Sequence, residues 1–283
     1  MPKINLNRTI LQYYCGNCNN ILKEANDNLS VTNIEPCPFC GIVLSTVLQK
    51  RSIIQPQHKP KIIFQKASQI PKLTLDIPEL DSVLQFLTLG QKICISGIHV
   101  QKIIERMCVR AQLPHRYGGL DTDVLLIDGA NSSDLYQCID FAQQYGLDVN
   151  KILDGIISSR AFTVYQLANT IIQELPYAIK QYNVKVVVIT NLLNYFTNDP
   201  HLDTNEMKII LKEIIKTLDK IQDCLVIVSL GFPTQYDSLF LKLFSRTIDI
   251  QNSYDTLSIH IDDNGKKNSL FLNQDQLEII PQH

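Results

Sequence analysis

From Pro78 onward, short apolar runs alternate with amphipathic helical patterns. The apolar runs have the length of buried strands and are rich in Val and Ile. The helical patterns repeat apolar residues three and four positions apart, most clearly between Thr204 and Ile221. This alternation predicts an α/β fold, a mostly parallel sheet with helices on both faces. The predicted strands are "KICISG", "DVLLIDG", "DGIISSRAF", "VKVVVIT" and "CLVIVSLG".

Two features modify this regular pattern. The segment from Arg246 to Asn273 switches to short alternating strands with an Asp-Asn-Gly turn, which predicts an antiparallel extension of the sheet. The helical pattern that begins at Thr163 contains Pro176, so we expect that helix to break near the proline.

Four cysteines near the N-terminus, Cys15, Cys18, Cys37 and Cys40, form two C-x2-C pairs separated by residues 19–36. Two residues between paired cysteines allow both sulfurs to reach one metal ion. The spacing predicts a structural zinc site in a small zinc ribbon, with a redox or disulfide role as the alternative. Because such a ribbon has almost no core, loss of one ligand should unfold it. The other cysteines are predicted to be buried core thiols: Cys94, Cys108, Cys138 and Cys224.

The composition divides the chain into a zinc ribbon at 1–50, a basic linker at 51–75 and an α/β core at 76–283. No acidic residue lies between Glu35 and Asp76. This local positive charge can neutralise nucleic-acid phosphates, and a solvated basic linker is the alternative. The candidate nucleic-acid contacts are Lys50, Arg51, Lys59, Lys61 and Lys66. Aromatic residues near the cysteines could stack on bases or pack around the metal: Tyr13, Tyr14 and Phe39.

The overall composition is that of a soluble globular protein. The net charge is −2, and 45% of the residues are apolar. The longest apolar runs have strand length, so none is long enough to span a membrane. The N-terminus lacks the apolar core and cleavage site of a secretion signal. We therefore expect a cytoplasmic protein.

Several segments resemble the RecA-like recombinases, most closely archaeal RadA and its eukaryotic strand-exchange relative. They are "IPELDSVL", "LLIDGANSSDLYQCIDFAQQYGLDVNKILDGIISSRAF" and "VKVVVITNLLNYF", in the family's order, and the resemblance covers roughly 62–260. A ribbon before such a core is also similar to the bacterial RadA/Sms proteins. The resemblance implies that Phe64 and Ala67 form a docking strand, since in that family a Phe-x-x-Ala motif docks one subunit onto the next.

The segment "KICISGIHVQKIIERM" stands where the family has its phosphate-binding loop, G-x4-G-K-[ST]. If Gly97 is the first glycine, Lys102 occupies the second glycine position and two isoleucines follow it. If Lys102 is the lysine, the loop is one residue short and Ile103 replaces the hydroxyl. Neither alignment leaves a Mg²⁺ ligand. We regard Gly97 and Lys102 as remnants of a degenerate nucleotide loop.

The resemblance also identifies further losses. Thr190 stands where the family has its metal-site Asp, and Ala130 where it has its catalytic Glu. The polar sensor position is matched by "SLG", without an amide side chain. We therefore expect no catalytic residue, no hydrolysis and no tight binding of ATP or Mg²⁺. The segments that match the family's DNA-binding loops, after "NYF" and after "SLGFP", are short, and the first is acidic.

Three functions remain open on these grounds. The first is a non-catalytic accessory or scaffold in DNA recombination and repair, which binds a recombinase or its own copies, and single-stranded DNA through ribbon and linker. The second is a zinc-ribbon nucleic-acid-binding factor of transcription or RNA metabolism. The third is a DNA-dependent ATPase with a rewired loop. The first hypothesis is preferred because a retained fold and a docking motif accompany the degenerate site, although a fold alone does not assign function.

Overall fold

The computed structural model describes two compact units, Met1–Gln65 and Lys66–His283. In the first unit the described residues are 7–15, 17–18, 21–25, 36, 40 and 48–56. In the second unit they are 70–278, apart from 134, 199–202, 232–233, 235, 241 and 254–255. No helix among the described residues is long and apolar enough to cross a membrane.

The first unit contains a three-stranded antiparallel sheet. Strand β1 (Asn7–Cys15) lies in the centre, between β2 (Ile21–Ala25) and β3 (Leu48–Pro56). Strand β3 pairs with β1 along its whole length, from Leu48 opposite Cys15 to Pro56 opposite Asn7. Residues 51–56, which the sequence assigned to the linker, belong to β3.

The second unit is built on one eight-stranded sheet. Its order is β11-β10-β9-β4-β8-β7-β5-β6. The strands from β9 to β6 are parallel neighbours, and β9, β10 and β11 form an antiparallel meander. The predicted mostly parallel sheet and the predicted antiparallel extension are both confirmed. The strands are β4 (Lys92–Gly97), β5 (Val124–Asp128), β6 (Ile156–Arg160), β7 (Val186–Thr190), β8 (Leu225–Val228), β9 (Arg246–Ser253), β10 (Thr256–Asp263) and β11 (Lys266–Asn273).

Helices cover both faces of this sheet. The connection from β10 to β11 is the predicted turn, in which Asn264 and Gly265 have positive φ as a tight hairpin requires. The helices are α1 (Pro78–Leu84), α2 (Val100–Ala111), α3 (Tyr136–Gln144), α4 (Val149–Asp154), α5 (Val164–Asn169), α6 (Leu175–Tyr182), α7 (Asn194–Asn198), α8 (Thr204–Asp219), α9 (Asp237–Phe240) and α10 (Asp275–Glu278). A 3-10 turn spans His115–Tyr117.

The core consists of two apolar clusters, one on each face of the sheet. Strand β7 contributes to both, because successive residues of a strand face opposite sides. Val186 and Val188 belong to the cluster with α2 and α3, whereas Val187 and Ile189 belong to the cluster with α5 and α8. Burial on both faces explains why these strands are continuous apolar runs in the sequence.

The predicted break near Pro176 takes the form of a π-turn, Thr170–Glu174, between α5 and α6. The N–H of Leu175 donates to the carbonyl of Thr170, five residues earlier. Proline has no N–H to continue the ordinary helical ladder, so the wider turn precedes it. The helix therefore continues through the proline with a local change in register.

Two buried arginines attach the segment before α1 to helix α2. Arg106 donates to the carbonyls of Leu75, at 2.6 Å, and Asp76, at 2.8 Å. Arg110 donates to the carbonyl of Thr74 at 3.0 Å. Burial of a guanidinium requires such partners, and here they fix the position of the helix that follows β4.

Candidate functional site

The connection between β4 and α2 lies where the sequence comparison placed the family's phosphate-binding loop, and it is short. Strand β4 ends at Gly97 and α2 begins at Val100, so only Ile98 and His99 lie between them. A working loop surrounds the phosphates with several backbone N–H groups before its helix begins. Here the N–H of Ile98 donates to the carbonyl of Ile250 on β9, at 2.9 Å. That donor is therefore used within the sheet.

Gly97 is required by packing in this arrangement. A Cβ atom at Gly97 would lie 1.9 Å from the carbonyl oxygen of Ile250, and its φ is +96°. Only glycine allows the neighbouring strand to approach so closely at this φ. The retained glycine thus has a structural explanation that does not involve phosphate.

The residues after Gly97 have the surroundings of an ordinary amphipathic helix. Lys102 lies in the first turn of α2 and is partly buried. Ile103 and Ile104, which occupy the lysine and hydroxyl positions in one alignment, are buried in the core. Apolar side chains in these positions provide neither the positive charge nor the Mg²⁺ ligand of a working loop.

Asp128 ends β5 and caps the turn that follows. Its carboxylate accepts hydrogen bonds from the N–H of Ala130, at 3.1 Å, and of Ser133, at 2.8 Å. Burial acts to raise the pKa of Asp128, but hydrogen bonds from the backbone of Ser133, Ala130 and Ser132 outweigh it, so the pKa is lowered. Thr190 Oγ1 also donates to the carboxylate, at 3.4 Å. The carboxylate is thus held by its own turn.

Hydrogen bonds also join the ends of the neighbouring parallel strands. Ser229, after β8, accepts from the N–H of Asn191, after β7, at 2.9 Å. Asn191 Nδ2 donates to Ser132 Oγ at 3.3 Å, and Arg160, at the end of β6, donates to the carbonyl of Ser133 at 2.7 Å. These contacts link the carboxyl edge from β8 to β6, which is where open α/β sheets bind their ligands.

Sequence reasoning missed most of this network. None of Ser132, Ser133, Asn191 and Arg160 was singled out from the sequence as a site residue. A usable signal exists, because all four follow or end predicted parallel strands and the carboxyl ends of such strands meet at one edge. The buried Glu105 of α2, whose Oε1 accepts from Gln101 Nε2, was also missed, since it sits within a helical pattern.

The described cysteines of the first unit converge. The sulfurs of Cys15, Cys18 and Cys40 lie within 4.8 Å of one another. Cys15 and Cys40 Sγ are 3.7 Å apart, far longer than the roughly 2.05 Å of a disulfide bond. Tetrahedral zinc with Zn–S bonds of about 2.3 Å places its sulfurs about 3.8 Å apart, so the arrangement fits such an ion. Cys37 lies outside the described residues.

The core cysteines behave as predicted. Cys94, Cys108, Cys138 and Cys224 are all buried in the second unit. Burial raises the pKa of the Cys94 thiol to about 12, with smaller contributions from the nearby carboxylates of Asp237 and Asp249. A thiol with so high a pKa stays protonated at neutral pH, as expected of a buried core cysteine.

Other predicted site residues are placed only in part. Lys50 and Arg51 are consecutive residues of β3, which pair in register with Tyr13 and Gln12 of β1. Parts of both segments that match the DNA-binding loops, 199–202 and 232–233, are outside the described residues. The same holds for the docking motif and the linker lysines: Phe64, Ala67, Lys59, Lys61 and Lys66.

Comparison with known proteins identifies the core. The Rad51 family model matches residues 96–230, which run from the end of β4 past the end of β8. The core belongs to the RecA-like recombinase superfamily. The DNA repair and recombination protein RadA of Cenarchaeum symbiosum (strain A) is 26% identical over 152 residues, 48% of this chain. The matched part is 35% of RadA, so the chain spans about a third of that relative's length.

The RecA-like core thus confirms the resemblance and the fold class inferred from the sequence. The family match lies wholly within the second unit and includes the connection between β4 and α2. The positions that the sequence analysis compared with the family's site, Lys102, Ala130 and Thr190, fall inside the matched residues.

Proposed function

We propose that this chain is a non-catalytic relative of the RecA-like recombinases that acts as an accessory or scaffold in DNA recombination and repair. The observation that carries the proposal is the two-residue connection between β4 and α2, which leaves no loop to surround a nucleotide's phosphates. RadA, to which the core is similar, is named for DNA repair and recombination. A RecA-like core without a phosphate-binding loop is better suited to binding protein partners than to hydrolysing ATP.

The absence of hydrolysis follows from the requirements of phosphoryl transfer. That reaction depends on positioning the phosphates and on stabilising charge with Mg²⁺ and cationic groups. Ile103 or Ile104 replaces the Mg²⁺-binding hydroxyl, Thr190 replaces the metal-site carboxylate, and Ala130 replaces the general base. Loss of all three together leaves no group to perform these tasks.

Purified protein is expected to release no phosphate from Mg-ATP above the level of a buffer control, with or without single-stranded DNA. A RecA-type recombinase assayed in parallel provides the positive control. The midpoint of thermal unfolding is also expected to be the same with and without saturating Mg-ATP, since a ligand that does not bind cannot stabilise the fold. Turnover that DNA stimulates and that Lys102→Ala abolishes would establish the rewired ATPase instead.

We also propose that Cys15, Cys18, Cys37 and Cys40 hold a structural zinc ion. The convergence of three of these sulfurs supports this assignment. When bound, zinc supplies folding free energy to a unit that is too small to bury a large core. The residues themselves supply four thiolates, as in the closed sites of structural zinc.

The proposed scaffold function includes docking through Phe64 and Ala67. Strand edges accept an extended segment of a partner, while pockets take its alternate side chains. In a pull-down with an active recombinase, Phe64→Ala is expected to reduce capture at least about tenfold, because an anchor residue in such a motif contributes about 2 kcal/mol or more.

Phe271→Ala is the matched control for this experiment. Phe271 is an exposed phenylalanine on β11, at the edge of the core sheet and outside the docking motif. Its substitution is expected to leave capture unchanged. Equal capture by wild type and Phe64→Ala would remove the docking motif from the proposal, and equal losses in both variants would indicate a non-specific apolar effect.

A further inference from the structure

An open cavity of about 460 Å³ lies beside the end of β6 in the second unit. Its lining includes Arg160 at the end of β6, Phe162 in the connection that follows, and Tyr165 and Asn169 on α5. Glu174, the last residue of the π-turn, completes this part of the wall. We call the space between these five residues the aromatic cavity.

Two aromatic rings of this lining are exposed to solvent. Phe162 is 60% exposed and Tyr165 is 54% exposed. Both are nevertheless fixed by hydrogen bonds, since the N–H of Phe162 donates to Gln166 Oε1 at 3.0 Å and Tyr165 Oη donates to Glu206 Oε1 at 2.9 Å. Exposed apolar surface with a polar rim marks sites of interaction with a partner.

The π-turn supplies the polar part of the wall. Asn169 Nδ2 donates to Glu174 Oε1 at 2.8 Å, so a hydrogen bond crosses the turn and holds the carboxylate. Single π-turns within helices occur frequently at functional sites, because the wider turn changes the direction of the side chains around it. Here it coincides with the cavity.

Carboxylates outnumber cations around the aromatic cavity. Glu174 lines it, and Glu206 is hydrogen-bonded to the Tyr165 hydroxyl. Asp203, which caps α8, accepts from the N–H of Glu206 at 3.3 Å. Against these stands Arg160, which donates to the carbonyl of Ser133 at 2.7 Å. Such a surface repels phosphate groups and attracts a cation.

We propose that the aromatic cavity binds an arginine or lysine side chain from a basic segment of a protein partner. A cation over the face of a phenylalanine or tyrosine ring is attracted by the ring's electrons, and a nearby carboxylate adds to that attraction. Phe162, Tyr165 and Glu174 supply these groups within one cavity. The inference rests on the proposed scaffold function, since it names the chemistry of a partner that the core would bind.

The test is fluorescence anisotropy of a labelled arginine-rich peptide with the full chain, beside an acidic peptide of the same length. The arginine-rich peptide should bind and the acidic one should not. Phe162→Leu and Tyr165→Leu are each expected to weaken binding about twofold to fivefold, because leucine is apolar but has no aromatic face. Tyr165→Phe keeps the ring and should bind more tightly than Tyr165→Leu.

Tyr117→Leu is the matched control for the ring variants. Tyr117 is 56% exposed and lies beside the guanidinium of Arg116, 4.8 Å from its ring centroid, but it belongs to the 3-10 turn and not to the cavity. Its substitution should leave the affinity for the peptide unchanged. Circular dichroism of every variant checks that the fold is retained.

Substitutions of charged residues test the sign of the ligand's charge. Glu174→Gln is expected to weaken binding about twofold to fivefold at low salt, and Arg160→Gln to strengthen it by about twofold. Glu213→Gln is the control, since Glu213 is an exposed carboxylate of α8 that pairs with Lys216 outside the cavity. It should have no effect.

Several results would overturn the proposal. They are absence of binding to the arginine-rich peptide, equal losses in Tyr117→Leu and Tyr165→Leu, and reversed signs for Glu174→Gln and Arg160→Gln. Binding of labelled oligothymidine that requires both rings and Arg160 would assign the cavity to nucleic acid instead.

These outcomes can be distinguished from failure of the proposed function. If the peptide does not bind but a recombinase is captured without ATP turnover, the scaffold proposal stands and the cavity proposal fails. If the cavity binds the peptide but the chain hydrolyses ATP, the cavity proposal stands and the non-catalytic proposal fails.

Discussion

Substitution of Gly97 by alanine is expected to lower the free energy of unfolding of the core by about 2–5 kcal/mol. Two physical effects add. The new Cβ would lie 1.9 Å from the carbonyl oxygen of Ile250, which forces β4 and β9 apart, and φ of +96° is unfavourable for any residue with a Cβ. Chemical denaturation followed by circular dichroism measures the change.

Gly265→Ala is the matched control, because it separates the two effects. Gly265 has a similar φ of +90°, but nothing lies within 4 Å of a Cβ built there. Its substitution should lower stability by only about 1–2 kcal/mol. If Gly97→Ala were no more destabilising than Gly265→Ala, the packing explanation of this glycine would be wrong. A loss of Mg-ATP binding with no loss of stability would restore the interpretation as a phosphate loop.

Substitution of Cys15 by serine is expected to remove zinc and unfold the first unit while the RecA-like core remains folded. Structural zinc contributes about 10–16 kcal/mol of binding free energy in small zinc modules, which exceeds what a small sheet can supply by itself. Zinc content per chain measures the first effect. Hydrogen exchange resolved by segment measures the second, since protection should be lost in 1–65 and retained in 66–283.

Cys138→Ser provides the control for this prediction. Cys138 is buried in the core, and its thiol donates to the carbonyl of Glu105 at 3.7 Å. Its substitution should leave the zinc content unchanged, whereas Cys18→Ser and Cys40→Ser should behave like Cys15→Ser. Full zinc occupancy in Cys15→Ser would assign these cysteines to another role, and a stable first unit without zinc would show that the sheet folds by itself.

Local patterns predicted the elements of the core well. The apolar run at 186–190 and the apolar stripe of α8 can each be recognised within a few residues. Both the strand and the helix that they predict are present in the structure. The end of β3 was harder, because the prolines after residue 54 are typical of a linker while the pairing with β1 is distant in sequence. The π-turn at 170–174 was also beyond the pattern, which indicated only a break near Pro176.

The candidate sites also divide into features that the sequence predicted and features that required the structure. The sequence by itself determined the α/β class and the four-cysteine spacing, because each depends on residue identity and short spacing. Only the tertiary structure decided that Gly97 packs against Ile250 and that Asp128 is held by its own turn. These relations depend on which strands are neighbours and in what register, and hydrogen bonds between distant segments establish that order.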